Sequence, residues 1–202
     1  MTPFTELVGC RVPIQLAGMG GVVTPELAAA VTNAGGLGMI GVPMLSPAVV
    51  AALLERIAKL TAGPFGATFL MPFLDREALE IAAARARVVE LFYGDPDAAI
   101  VDTIHRGGAL ASWQVGSHAE AVAAERAGCD LVVAQCTAAG GHVRGTIELF
   151  PLLSEVLDSL RVPVLAAGGI ATARDVAGAL AAGAAGVRVG TRFLAAAEAD
   201  LH

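Results

Sequence analysis

Lysine is almost absent from this chain. The single copy, Lys59, lies in an alanine-rich helical pattern and not at the end of an apolar run. A Schiff-base aldolase or a P-loop therefore has no lysine to use. Cysteine is scarce as well: Cys10, Cys129 and Cys136 are too few and too irregularly spaced for a disulfide framework or a metal site, and they read as small buried thiols. No basic cluster occurs, one tryptophan is present, and the net charge is -6 with a pI near 5.1, so the electrostatic footprint of a nucleic-acid partner is missing. The mean hydropathy of +0.68 is high, yet the longest uncharged stretch, Leu27 to Leu54, is interrupted by Gly35-Gly36, Pro43 and Ser46-Pro47. That pattern predicts no membrane-spanning helix. The opening MTPFTELVGCR has neither a basic leader nor a continuous apolar segment, and together with reduced thiols it leads us to expect a cytoplasmic protein whose partner is a small molecule.

What is present is a repeating alternation. Short runs rich in Val, Leu and Ile recur about every 25 residues, as eight units sharing 202 residues would. They span Pro13–Gly18, Gly38–Val42, Phe65–Met71, Val88–Tyr93, Ala109–Val115, Leu131–Cys136, Pro163–Ala167 and Gly186–Gly190. Most are apolar on both faces, as in a buried parallel sheet. Between them Thr24-Pro25, Ser46-Pro47 and Asp95-Pro96 pair an N-cap residue with a proline suited to the first helical turn, and Asp75 also reads as a cap. Gly35, Gly107, Gly128 and Gly183 stand where a helix ends on a left-handed residue. Eight such units predict an α/β fold of the (β/α)8 TIM barrel type, one domain over residues 1–202, because an open doubly wound sheet would need only five or six. After Phe193 only AAAEADLH follows, so the last helix is expected to be short or missing.

In such barrels chemistry sits at the C-terminal strand ends. The first strand runs into Ala17-Gly18-Met19, the sixth into Gln135 and the loop Gly140-Gly141-His142, the seventh into Gly168-Gly169 and the eighth into Gly190-Thr191. Glycine at several strand ends allows backbone N–H groups to approach a flat or anionic ligand, whereas each motif alone is compatible with an ordinary tight turn. The pair after strands seven and eight is the usual phosphate cradle of this architecture, with a helix N-terminus adding its dipole. No cluster of strand-end acids is present to hold a divalent metal. Of the histidines, His105 and His118 fall in helical patterns and His202 is terminal, all read as solvated surface, which leaves His142 to exchange a proton near neutrality. A loop histidine that only bonds backbone is the plainer alternative. With neither metal nor lysine, a bound flavin would supply the reactivity.

The stretches PIQLAGMGG with VVTPELAAAVTNAGGLGMIG, AQCTAAGGHVRG, and VPVLAAGGIATARDVAGALAAGAAGVRVGTRF together resemble the nitronate monooxygenase family, formerly 2-nitropropane dioxygenases. The likeness runs over nearly the whole chain. It implies an FMN-dependent barrel in which His142 is the catalytic base and Gln135 and Gly140 contact FMN. It also implies that Gly141 lets the loop turn beside the flavin, that Gly168, Gly169, Gly190 and Thr191 bind the phosphate, and that Ala17, Gly18 and Met19 run along the ring. This sequence departs from the family pattern in places. Thr68 stands where an asparagine is common, so the implied flavin contact from the third strand becomes a shorter hydroxyl, Cys136 replaces a glycine, and Arg188 replaces a glutamine, with charge-assisted reach to phosphate or flavin carbonyls. The family also continues into a further helical segment over the active site that this sequence does not include. The implied activity is oxidation of alkyl nitronates or nitroalkanes by O2. NAD(P)H-dependent flavin reductases of the enoyl-acyl-carrier-protein reductase or quinone reductase type, and a non-catalytic flavin binder, share the same elements.

Overall fold

A computed structural model describes residues 1–200, so the surface position expected for His202 lies outside the described residues. Each apolar run contains one strand: β1 (Ile14–Leu16), β2 (Gly38–Gly41), β3 (Phe65–Leu70), β4 (Val88–Phe92), β5 (Leu110–Val115), β6 (Leu131–Gln135), β7 (Val164–Ala167) and β8 (Gly186–Val189). All pairs are parallel, in the order β1-β8-β7-β6-β5-β4-β3-β2. The remaining seam, between β1 and β2, is closed by one bridge, Gln15 to Leu37. There Leu16 N–H donates to Leu37 O at 2.9 Å and Leu37 N–H donates to Ile14 O at 2.9 Å. The result is an eight-stranded TIM barrel.

The helices are α1 (Pro3–Val8), α2 (Pro25–Asn33), α3 (Pro47–Leu60), α4 (Arg76–Arg85), α5 (Ala98–Gly107), α6 (His118–Arg126), α7 (Leu149–Leu157) and α8 (Ala173–Ala181). From α2 onward each follows the strand before it, while among the described residues β8 is followed only by a 3-10 turn at Thr191–Ala195. Thr24 caps α2 by accepting from Leu27 N–H at 3.0 Å, and Asp75 caps α4 by accepting from Ala78 N–H at 2.9 Å. Ser46 stands at the N-cap of α3 with Pro47 in the first turn.

Two local expectations shift. The cap of α5 is Asp97, which accepts from Ala99 N–H at 2.8 Å, and not Asp95. Both aspartates flank Pro96 and both have cap chemistry, but Asp95 is taken by Arg144 at 2.8 Å. The left-handed residue after α5 is Gly108, with φ 92, and not Gly107. Gly107 is glycine for a different reason, since a Cβ there would stand 2.4 Å from that of Ala83.

Side-chain parity divides the barrel. One phase of the strands faces the helices in the larger core cluster, with Leu16, Ile40, Ala67, Val89, Trp113, Val132, Ala166 and Val187 among its members. The other phase fills the lumen. Its lower part joins Leu37, Met39, Val88, Leu131, Val133 and Leu165 to Phe4 and Val8 of α1, which plugs the bottom of the barrel. This helix was not anticipated, although Thr2-Pro3 repeats the Thr24-Pro25 start signal and forms a capping box with Thr5. Arg87, just before β4, donates to the carbonyls of Leu7 at 2.5 Å and Val8 at 3.2 Å and so ties down the C-terminus of α1.

Among the described residues no helix is long and apolar enough to cross a membrane. All three cysteines are buried and unbridged. Burial, with the Asp130 carboxylate beside it, pushes the Cys129 thiol up to about 12.

The tightest junction is between α2 and β2, where a Cβ on Gly38 would lie 1.9 Å from Ala28 O. Gly38→Ala is expected to cost about 3 kcal/mol, at the upper end of overpacking. Gly9, with φ 87 and nothing within 4 Å of an added Cβ, serves as the control. Gly9→Ala should lose only about 1–2 kcal/mol from backbone strain. Urea denaturation of the two variants tests the ordering.

Candidate active site

The upper half of the lumen is polar. Gln15, Thr68, Glu90, Ser112, Gln114, Gln135 and Arg188 are all buried, and they lie on the inward phase of β1, β3, β4, β5, β6 and β8. Glu90 is 0% and Arg188 7% exposed. Their charges meet across the barrel, Arg188 Nη2 to Glu90 Oε1 at 2.5 Å. Arg188 Nη1 donates to Gln114 Oε1, and Glu90 also accepts from Gln15 Nε2 at 3.2 Å and from Thr68 Oγ1 at 3.4 Å. A desolvated pair needs such additional partners, because mutual attraction alone seldom offsets the loss of hydration. Several atoms of this layer are left over: Arg188 Nε, Gln15 Oε1, Ser112 Oγ and Gln135 Oε1 are buried without a hydrogen-bond partner.

Above this layer, the loops after β1, β6, β7 and β8 converge in an arc almost free of side chains. A Cβ on Gly18 would meet Thr68 Oγ1 at 2.4 Å, and one on Gly190 would meet Ala17 Cβ at 3.2 Å and Met19 Sδ at 3.5 Å. One on Gly140 would stand 2.8 Å from Thr191 Oγ1, and one on Gly168 would stand 2.5 Å from Cys136 Sγ and 3.0 Å from Ala139 N. Gly141, Gly168 and Gly169 have φ of 74, 111 and 68, a region that favours glycine. Ala17, Gly18, Met19, Gly140, Gly168, Gly169, Gly190 and Thr191 are thus brought together from four strand ends.

Gln135 and Arg188 are placed differently from the rest. Gln135 lies beneath the rim, and its Nε2 donates to the backbone carbonyl of His142 at 3.0 Å. The Arg188 guanidinium, expected at a phosphate or flavin carbonyl, has Glu90 and Gln114 as its partners within the lumen. The N-terminus of α8, expected to lend its dipole to an anion, carries a capping box between Thr172 and Asp175. The Asp175 carboxylate accepts from Ala171 N–H at 3.0 Å and Thr172 N–H at 2.7 Å. Those backbone bonds, with the Thr172 hydroxyl, hold its carboxyl below the ordinary range.

His142 is exposed on its loop. The loop is tied at several points: Arg144 bridges Asp95 at 2.8 Å and Glu120 at 3.1 Å, and Gly145 packs so closely on Gly116 that a Cβ on either would stand 2.4 Å from the other's backbone. The His142 ring meets Tyr93, at the end of β4, with centroids 5.7 Å apart and planes at 79°. Arg144 and Tyr93 were both missed by the sequence reading. The other two histidines among the described residues hold positions away from the mouth, His105 bonded to Asp130 at 2.8 Å and His118 to Ser159 at 2.7 Å. Among the described residues no group of three or more His, Cys, Asp or Glu is arranged to hold a metal.

Two matching segments, residues 1–81 and 74–202, align with the family described as nitronate monooxygenase. The (3aS,4S,5R,7aS)-5-hydroxy-7a-methyl-1-oxo-octahydro-1H-indene-4-carboxyl-CoA dehydrogenase of Rhodococcus jostii (strain RHA1) is 34% identical over 99% of this chain and 57% of its own length. FabK from Thermotoga maritima superposes with a TM-score of 0.95 at 36% identity, covering 100% of this chain and 65% of that one. The nitroalkane oxidase of Streptomyces ansochromogenes superposes with a TM-score of 0.91 at 31% identity, covering 99% and 70%. The chain therefore spans little more than half the length of the Rhodococcus dehydrogenase it matches.

The lumen network generates a stability prediction. Arg188→Ala leaves Glu90 buried without its counter-charge and should cost about 3–5 kcal/mol. The double change Glu90→Leu with Arg188→Met removes both charges and should recover most of that loss. Denaturation of Glu90→Leu, Arg188→Met and the double variant would measure the coupling, and additive losses would contradict it.

Proposed function

The chain belongs to the nitronate monooxygenase family, and from that premise we propose that it is an FMN-dependent oxidoreductase that oxidises alkyl nitronates and nitroalkanes with O2. The observation that carries this reading is the placing of His142, a proton-transfer group, on a tethered loop beside an arc of closely packed glycine-rich strand ends. A flavin fits that arc, because a flat ring and a phosphate both need close backbone approach, and it supplies the electron acceptor that side chains lack. Gly168, Gly169, Gly190 and Thr191 would hold the phosphate through the backbone, and Ala17, Gly18, Met19, Gly140 and Gly141 would border the ring. Gln135, with Oε1 buried and unpartnered, and Thr68 would present polar groups from below. Arg188 would act from the same layer, its Nη atoms held by Glu90 and Gln114 and its Nε left unpartnered. FMN is favoured over FAD because one phosphate cradle is present in the sequence and no second dinucleotide fingerprint follows it.

In this reading His142 takes the α-proton of a neutral nitroalkane. Gln135 fixes the loop through the His142 carbonyl, which leaves the imidazole free for substrate. A preformed nitronate has already lost its proton and needs only binding. A second reading, an NAD(P)H-dependent flavin reductase or dehydrogenase, is supported by identities of 36% to FabK and 34% to the CoA dehydrogenase, against 31% to the nitroalkane oxidase.

Chromatography of the released cofactor should show FMN, and FAD alone would count against the cradle assignment. His142→Asn is expected to retain flavin, to lose about 10²–10⁴-fold in anaerobic flavin reduction by a neutral nitroalkane, and to lose much less with the nitronate. Equal small losses with both substrates would reduce His142 to a structural loop residue. Reduction by NADH and by neither nitro compound in the wild type would select the second reading.

A further inference from the structure

Tyr93 is the chain's only tyrosine, and its backbone lies at φ 68. Among the described non-glycine residues only Met44 shares a positive φ, and both follow strands at the mouth of the barrel. A bulky aromatic residue in this region is strained, and such strain persists only where the surroundings over-determine it. Here they do. Trp113 Nε1–H donates to Gly94 O at 3.1 Å, a Cβ on Gly94 would stand 2.5 Å from Met71 Cβ, and the buried Phe92 ring meets Tyr93 edge-on at 4.9 Å. The turn delivers the Tyr93 ring to His142, 5.7 Å between centroids. Packing alone does not account for the hydroxyl. The residue is 40% exposed, a phenylalanine would make the same ring contacts, and among the described residues no hydrogen bond to the phenol is found.

We propose that Tyr93 is a catalytic residue that acts with His142, donating a hydrogen bond from its hydroxyl to the oxygen-bearing group of the substrate while His142 deprotonates the adjacent carbon. This rests on the proposed function above. For a nitroalkane the C–H bond breaks, its electron pair becomes the second bond of C=N, and the proton passes to a ring nitrogen of His142. The charge that collects on the nitro oxygens is met by the Tyr93 O–H, which keeps its proton. A donor aimed where charge develops contributes mainly in the transition state. The substrate's other end meets an apolar wall, since Met44 after β2 and Phe73 after β3 are 72% and 52% exposed on the same side of the mouth as Tyr93. The preferred substrate is therefore a C–H acid with an apolar body.

The test uses flavin-loaded wild type, Tyr93→Phe and His142→Asn with 1-nitropropane and its nitronate. Protein labelled with carbon-13 at the tyrosine Cζ gives one signal, because the chain has one tyrosine. That signal should move when the nitronate binds. Tyr93→Phe should lower the limiting rate of anaerobic flavin reduction by 1-nitropropane about 10²-fold, whereas with preformed nitronate the change should appear as a raised KM with the limiting rate within about threefold. An unmoved tyrosine signal, or wild-type kinetics in Tyr93→Phe, would overturn the assignment. Loss of activity in His142→Asn with none in Tyr93→Phe would remove Tyr93 alone, while a flavin-loaded wild type inert to both compounds would remove the parent reading with it.

Discussion

The ion pair between Arg188 and Glu90 crosses the lumen from β8 to β4, strands on opposite sides of the closed sheet. Both charges are removed from water, and either one alone would be severely destabilising. Their neighbours follow from that constraint. Gln15, Thr68 and Gln114 turn inward to supply hydrogen bonds, and the apolar layer below, sealed by Phe4 and Val8, keeps water out from the bottom. The pair can form only because the Gln15–Leu37 bridge closes the sheet and sets β4 opposite β8. The polar layer is thereby a fixed floor for whatever occupies the mouth.

The mouth is divided by the same topology. Loops from β6, β7, β8 and β1 form the glycine arc, and loops from β2, β3 and β4 carry the large side chains Met44, Phe73 and Tyr93. One half admits backbone contact with a ligand, and the other offers bulk and a hydroxyl. His142 stands on the loop after β6 and faces Tyr93 across the boundary. A glycine-rich loop has little conformational preference of its own, so its order comes from outside: Gln135 beneath, Arg144 clamped by Asp95 and Glu120, and the Gly145–Gly116 contact. On the proposed reading, this tethering holds the base still while leaving its ring exposed.

Much of this was determined by the sequence alone, because the signals are local. Eight apolar runs, each containing one observed strand, reflect a backbone buried on both faces. The caps at Thr24 and Asp75 reflect bonds made within one helical turn. The glycine arc was legible for the same reason, since strand ends can be counted and glycine is conspicuous. Only the tertiary structure decided the rest, because the deciding partners are remote in sequence. Asp95 and Asp97 have equal cap chemistry until Arg144 takes one of them. The partners of the Arg188 Nη atoms, Glu90 and Gln114, are set only by the closed barrel. Tyr93 gave no sign in the sequence of its place beside His142, because a left-handed backbone turn and an edge-on contact with a histidine on another loop exist only once the strands are assembled.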